Sequence, residues 1–130
     1  MPHTRAHKNL VLLCTALLFC QPAAASVRAY ETCLQAYVNV TGYLGYAQPR
    51  AMQAELIAFD ADFKSFIERG ITRYGEAAVR SLVPDPEDSF IETATALHLV
   101  DGAEKTALRF LQMIAPCGGP NGELRAFFPA

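Results

Sequence analysis

The placement of four cysteines constrains the fold of this chain more than any other feature of its sequence. Cys14 and Cys20 lie in an apolar N-terminal segment, whereas Cys33 and Cys117 lie near opposite ends of the remainder. If the N-terminal segment is removed during export, Cys33 and Cys117 are the thiols that remain. We expect them to form one disulfide, because exported chains meet an oxidising compartment. The bridge would close a loop of about 85 residues, for which chain-entropy estimates give roughly 4 kcal/mol of stabilisation.

The N-terminal segment has the pattern of a secretory signal peptide. It begins with basic residues and no acidic one, residues 10–20 are apolar apart from one threonine, and residues 23–25 form an A-x-A ending. This pattern predicts a cleaved signal peptide over residues 1–25 and an exported domain over residues 26–130. The protein is therefore expected in the periplasm or secreted, with no stable membrane anchor after cleavage.

Two other interpretations of the N-terminal segment are open. It could serve as a membrane anchor, but a spanning helix needs about 20 apolar residues and this run is roughly half as long. It could carry a lipid on Cys20, but lipoprotein processing favours a small residue before the cysteine, and Phe19 is bulky. Cleavage after Ala25 fits the pattern better than either alternative.

The charge of the exported part excludes some classes of partner. The eleven basic residues of the chain become nine when the two in the signal segment leave, against thirteen acidic ones, so the formal charge is about −4. The arginines near the middle of the chain alternate with Glu68 and Glu76 and form no basic patch. Nucleic acid is therefore not expected as a partner, because phosphate binding needs clustered positive charge.

Apolar residues recur at intervals of three and four after residue 26, which is the period of amphipathic helices. No segment has the sustained alternation of a strand, and no repeat or linker divides the chain. The pattern predicts one all-α domain of four or five helices, bundle-like, with its first and last helices joined by the disulfide and a tail at residues 118–130. The predicted helices cover residues 27–41, 49–69, 75–83, 87–100 and 103–115.

The first two predicted helices have the clearest buried stripes. The stripe of the first contains Tyr30, Cys33, Leu34, Tyr37, Thr41 and Leu44. The stripe of the second contains Met52, Leu56, Phe59, Phe63 and Phe66. Gly42, Gly45 and Pro49 are expected to end the first helix, and Gly70 is expected to cap the second.

Two short motifs make further predictions. The sequence DGAE at residues 101–104 has the aspartate-to-glutamate spacing of a capping box, which predicts that the last helix begins there. The alternative is one long helix over residues 87–115 with a bend at Asp101 and Gly102. The triplet at Asn39 matches a glycosylation acceptor, a pattern short enough to occur often by chance.

His98 is the single histidine of the predicted mature chain and its main candidate for catalysis. Its position predicts a half-buried side chain hydrogen-bonded to its neighbours. As a general base it would need an orienting carboxylate, and Asp101 lies three residues along the same helix face. One histidine and two thiols are too few ligands for a metal site, and no pattern indicates a cofactor.

Two aromatic pairs are candidate partner-binding residues. Tyr43 and Tyr46 are expected at the surface, either on an extended first helix or in a glycine-rich loop, where tyrosine is a common interface residue. The alternative is that they pack back onto the domain. Phe127 and Phe128 either fill a groove of the same molecule or dock on another, and the first is favoured because exposed phenylalanines promote aggregation.

The general architecture is similar to several kinds of small bacterial envelope protein, which include immunity proteins that block a rival's toxin and periplasmic holdase chaperones. The expected function is a non-enzymatic binding protein, such as an immunity protein or inhibitor, acting on a protein partner in the cell envelope. An envelope assembly or stress chaperone and a small hydrolase using His98 are the alternatives. The identity of the partner and the oligomeric state are left open by the sequence.

Overall fold

The computed structural model of the protein describes residues 27–118. The predicted signal peptide and the tail residues Phe127 and Phe128 lie outside this range. Within it the chain forms five α-helices and no strand, as the periodicity predicts. They are α1 over residues 27–47, α2 Gln53–Tyr74, α3 Glu76–Leu82, α4 Asp88–Asp101 and α5 Ala103–Ile114. Short 3-10 helices, Arg50–Met52 and Ala115–Gly118, precede α2 and follow α5. None of the helices over residues 27–118 is long and apolar enough to cross a membrane.

The predicted disulfide between Cys33 and Cys117 is confirmed, with both residues buried and their Cα atoms 5.8 Å apart. It joins the early part of α1 to the turn that follows α5. At the other end of the pair, the hydroxyl of Tyr43 lies 3.4 Å from the carbonyl oxygen of Ala103, the first residue of α5. The two helices therefore run antiparallel, with the disulfide at one end of their contact.

Aromatic side chains fill the contact between α1 and α2. Tyr30 stacks on Phe66 with ring centroids 4.3 Å apart, and Tyr37 stacks on Phe63 at 4.9 Å. The ring of Tyr37 also lies 5.7 Å from that of Phe59. Residues later in α1 meet residues earlier in α2, so these helices are antiparallel as well. Each stacked or tilted ring pair contributes about 1 kcal/mol beyond the free energy gained by burying the rings. These pairs therefore hold α1 firmly against α2.

The prediction that α1 ends near Thr41 is wrong. The helix continues through Gly42 and Gly45 to Ala47, and the next residue, Gln48, has a positive φ of 44° and precedes Pro49. The buried face of this last part turns towards α4 and α5, so Val40 is buried and Thr41, predicted to be inside, is exposed. Packing outweighs the modest helix-breaking tendency of glycine, which is about 1 kcal/mol per residue.

The sequence predicts that Gly70 caps α2, and this prediction is wrong. Gly70 is buried inside the helix, which continues for four more residues to Tyr74. A Cβ at this position would overlap the ring of Tyr30, so the glycine provides space for a neighbour. Gly75 ends the helix instead, with a φ of 92° and its N–H bonded to the carbonyl of Ile71 at 2.8 Å. A positive φ of this size favours glycine.

The α4–α5 junction is a break between two helices, and the single-helix alternative is wrong. Gly102 separates them with a φ of 87°, and its N–H donates to the carbonyl of His98 at 3.0 Å. Gly102 is also the N-cap of α5, which has no side-chain cap, so the predicted capping box does not form. Asp101 closes α4 instead of opening α5. The spacing also predicts Ile91 on the inner face of α4, and Leu108 and Ala115 on that of α5. All three are exposed, because the short helices bury narrow stripes.

Candidate functional site

A cleft of about 320 Å³ lies where α4 crosses the C-terminal half of α1. Its walls are mainly apolar and aromatic. It is lined by Asn39, Gly42, Tyr43, Tyr46, Pro86, Phe90, Ile91, Ala94 and Thr95. Two further concavities in the described part of the chain are more open to solvent. A concave apolar site with a few polar groups is the usual form of a binding site, and this volume is at the lower end of the range for ligand pockets. We call it the α1–α4 cleft.

Gly42 forms part of the floor of the cleft. A Cβ added there would lie 3.9 Å from Cγ of Pro86, which is ordinary van der Waals contact. Because Gly42 has no side chain, it leaves a space in the cleft that any larger side chain at this position would fill. Gly45, one turn further along α1, faces open space, since no heavy atom lies within 4 Å of the equivalent position. The two glycines provide a matched pair of positions, one inside the cleft and one outside it.

The two tyrosines of α1 differ in exposure. Tyr46 is 68% exposed, which confirms its predicted place at the surface, and its ring centroid lies 5.3 Å from that of His98. Tyr43 is only 5% exposed, so for this tyrosine the alternative of packing back onto the domain holds, and part of its side chain lines the cleft. The ring of Tyr43 packs edge-on against Phe110 of α5 at 5.1 Å. It turns inward because α5 covers this side of α1.

His98 lies between the two tyrosines on the C-terminal part of α4. Its Nδ1 is 2.9 Å from the hydroxyl of Tyr43, and the imidazole is half-buried, as expected. Burial raises the pKa of Tyr43 above its ordinary value, and the direction of the hydrogen bond depends on which imidazole nitrogen carries the proton. The Tyr43–His98 pair thus connects α1 to α4 beside the cleft.

The predicted carboxylate partner of His98 is absent. Asp101 makes ion pairs with two cations of α5 instead, at 3.7 Å to Lys105 and 3.9 Å to Arg109, and it has no hydrogen bond to His98 in the described structure. A general base is normally oriented by a carboxylate on its second nitrogen, and here one nitrogen meets a phenol. The geometry gives His98 a structural connection to α1.

Asn39 joins α1 to the beginning of α4 at the other end of the cleft. Its Oδ1 accepts the backbone N–H of Glu87 at 3.0 Å, and its Nδ2 donates to the carboxylate of the same residue, also at 3.0 Å. Gln35 donates to Oδ1 of Asn39 and to the carbonyl of Asp85, both at 2.9 Å. Glu87 is the N-cap of α4, and its side chain makes no capping hydrogen bond. Asn39, from another helix, accepts a backbone N–H at this helix end instead. The buried amide of Asn39 is therefore not placed as a glycosylation acceptor.

Exposed apolar residues continue the surface of the cleft along α4. Ile91 is 48% exposed and Leu99 is 79% exposed. Ile91, Thr95 and Leu99 are spaced by four residues and lie on one face of the helix. This helical spacing can be seen in the sequence, but the neighbouring stripe that contains Ala94 and Leu97 has the same helical period. Periodicity alone does not distinguish the face that packs inside from the face that stays at the surface.

Within residues 27–118 no group of three or more histidine, cysteine, aspartate or glutamate side chains could hold a metal ion. No protein-family model, no curated protein and no solved structure matches this chain.

Proposed function

We propose that this protein is a small exported binding protein that docks a protein partner in the α1–α4 cleft and catalyses no reaction. An immunity protein or an inhibitor is the kind of protein that acts in this way. The observation that carries the proposal is the apolar cleft itself, which lies beside the exposed ring of Tyr46. Interfaces are enriched in tyrosine, and their strongest contacts combine an aromatic side chain with a pocket.

The frame around the cleft supports this function. The disulfide and the aromatic contacts with α2 hold α1 in place, while Asn39 and Tyr43 connect it to the two ends of α4. A cleft between two fixed helices needs little ordering when a partner binds, which favours affinity. Export is part of the proposal and is supported by the signal-like N-terminal segment and by the disulfide.

A capture experiment tests the proposal with three proteins: wild type, Gly42→Leu and Gly45→Leu. Each is purified as its host produces it, in oxidising buffer, and is used to capture proteins from an extract of the host's cell envelope. Leucine at position 42 fills the floor of the cleft, whereas leucine at position 45 points into open space. Thermal unfolding of all three checks that the variants remain folded.

We expect one partner to be captured by wild type and by Gly45→Leu, and to be lost with Gly42→Leu. Capture that is equal for all three proteins would show that the cleft is not the docking surface. Capture of nothing by the wild type would contradict a protein-binding function altogether.

A holdase chaperone is the second candidate, because large apolar side chains are exposed on more than one helix, Ile57 on α2 and Leu99 on α4 among them. Binding of an apolar dye between neutral pH and about pH 3 separates the two functions. A chaperone activated by acid exposes more apolar surface as the pH falls, and dye binding increases. A docking protein with a preformed cleft shows no increase while it remains folded.

A further inference from the structure

We infer that the occupant of the α1–α4 cleft is a cationic amphipathic segment of a protein, with apolar residues for the cleft and lysine or arginine residues for its rim. This inference rests on the proposed function and adds the chemistry of the partner. It depends on the distribution of charge over the two helices that form the cleft.

The segment that contains α4 carries more negative than positive charge. Residues 81–104 contain six acidic residues and no lysine or arginine. They are Asp85, Glu87, Asp88, Glu92, Asp101 and Glu104. All except Asp101 are exposed, and Asp101 is the one that makes ion pairs, with Lys105 and Arg109. Among the described residues, Asp85, Asp88 and Glu92 take part in no ion pair.

The α1 side of the cleft is uncharged. Residues 32–49 contain no lysine, arginine, aspartate or glutamate. The basic residues between positions 50 and 80 belong to the 3-10 turn, α2 and α3, and none of them lines the cleft. The charges that flank the lining residues Pro86 and Ile91 in the sequence are therefore the carboxylates at the beginning of α4. Such an arrangement attracts a cationic partner and repels an anionic membrane surface.

The length of the apolar surface favours a protein segment over a small cation. Ile91 and Leu99 are eight residues apart on α4, which corresponds to about 12 Å along the helix axis. The cleft lies at the Ile91 end, and the exposed side chain of Leu99 lies at the other. An amphipathic segment with an apolar side chain every three or four residues matches this extent. The exposed ring of Tyr46 can also receive a lysine or arginine side chain through a cation–π contact.

Two labelled synthetic helical peptides test the inference. They share one apolar face of leucine and phenylalanine, and their polar face is lysine in one and glutamate in the other. Binding is measured by fluorescence anisotropy at about 50 mM and about 500 mM salt, since the Debye length falls from above to below 10 Å across this range. The proteins are wild type, Gly42→Leu, the rim variant Asp88→Asn/Glu92→Gln and the control variant Asp60→Asn/Glu68→Gln on α2.

We expect the lysine peptide to bind about tenfold more tightly than the glutamate peptide at low salt, with the ratio falling several-fold at high salt. The rim variant should lose most of this preference, the α2 control should keep it, and Gly42→Leu should weaken binding of both peptides. Equal affinity for the two peptides, still lost with Gly42→Leu, would overturn the cationic preference and leave docking in the cleft intact.

Failure of the proposed function would appear differently, as capture of a natural partner that does not depend on position 42. Absence of binding by either peptide would overturn the inference. Self-association of the wild-type protein that Gly42→Leu abolishes would also overturn it, because the occupant would then be a second copy of the chain.

Discussion

The hydroxyl of Tyr43 lies 2.9 Å from Nδ1 of His98, and this contact joins α1 to α4 beside the cleft. Both side chains are at least half-buried, so water replaces the contact poorly if either partner is lost. The pair helps to set the distance between the two helices. It is the natural first test of the structural frame on which docking in the cleft depends.

Replacing Tyr43 by phenylalanine should therefore destabilise the protein by about 1 kcal/mol, since it leaves a partly buried ring nitrogen without its partner. The matched control is Tyr46→Phe, because the hydroxyl of Tyr46 has no hydrogen-bond partner among residues 27–118. Denaturant unfolding measures both free energies. Equal stability of the two variants would show that the Tyr43–His98 contact does not contribute.

Gly70→Ala should destabilise the protein although alanine is the better helix former. The added Cβ overlaps the ring of Tyr30, which also packs on Phe66, so that ring must move. Overpacking of this kind typically costs 1–3 kcal/mol. Gly45→Ala, in another helix and facing open space, should stabilise the protein by about 0.5–1 kcal/mol. Opposite signs in denaturant unfolding are the expected result, and a gain in stability for Gly70→Ala would contradict the packing.

Two glycines, Gly42 and Gly70, show which features of the fold can be predicted from the sequence and which cannot. Periodicity predicts the helical class, five helical segments and the stripes that contain Phe59 and Phe66, because a 3.6-residue repeat is a local signal. The disulfide follows from the cysteine count and from the export that the N-terminal pattern predicts. Whether a glycine ends a helix or accommodates a neighbour depends on tertiary contacts, so Gly42 and Gly70 are misplaced by local rules.

The candidate site is less accessible to prediction from sequence. Tyr46 is correctly placed at the surface, but Tyr43 is buried because α5, sixty residues later, covers it. Asn39 caps α4 from a different helix, a relationship with no local spacing to reveal it. The cleft is formed by two helices that are distant in sequence, and no stripe on either one predicts a concave surface.

The disulfide should provide a large share of the stability. With its two cysteines 84 residues apart, the bridge is expected to contribute roughly 4 kcal/mol. Cys117→Ala should lower the unfolding temperature in oxidising buffer and leave the reduced protein nearly unchanged. Differential scanning calorimetry with and without reductant measures both effects. If the variant and the wild type unfold at one temperature before reduction, the bridge does not stabilise the fold.

Stability should fall at alkaline pH because of Tyr37. Burial, aided by the charge of Asp62, raises the pKa of Tyr37 to about 12 from an ordinary value of 10.0. When folding raises the pKa of a group, the group contributes its full stability at pH values below its pKa in the unfolded state. This contribution is lost as the pH rises through its pKa in the folded state. The loss therefore falls between about pH 10 and pH 12 and amounts to about 3 kcal/mol.

Tyr37→Phe is the control for this pH dependence, because phenylalanine keeps the stacked ring and has no proton to lose. Urea unfolding at about pH 9 and about pH 11 should show a smaller loss for the variant than for the wild type. Parallel losses in the two proteins would assign the alkaline effect to other groups.

The footprint of the partner on the folded protein tests the central claim most directly. The measurement is a titration of the isotopically labelled protein with the captured partner, followed by two-dimensional NMR. Docking in the α1–α4 cleft predicts that the largest shift changes and line broadening occur at Gly42, Tyr46, Ile91 and Thr95, with α2 positions such as Asp60 unaffected. Changes confined to α2 and α3, with the cleft residues unchanged, would contradict the account.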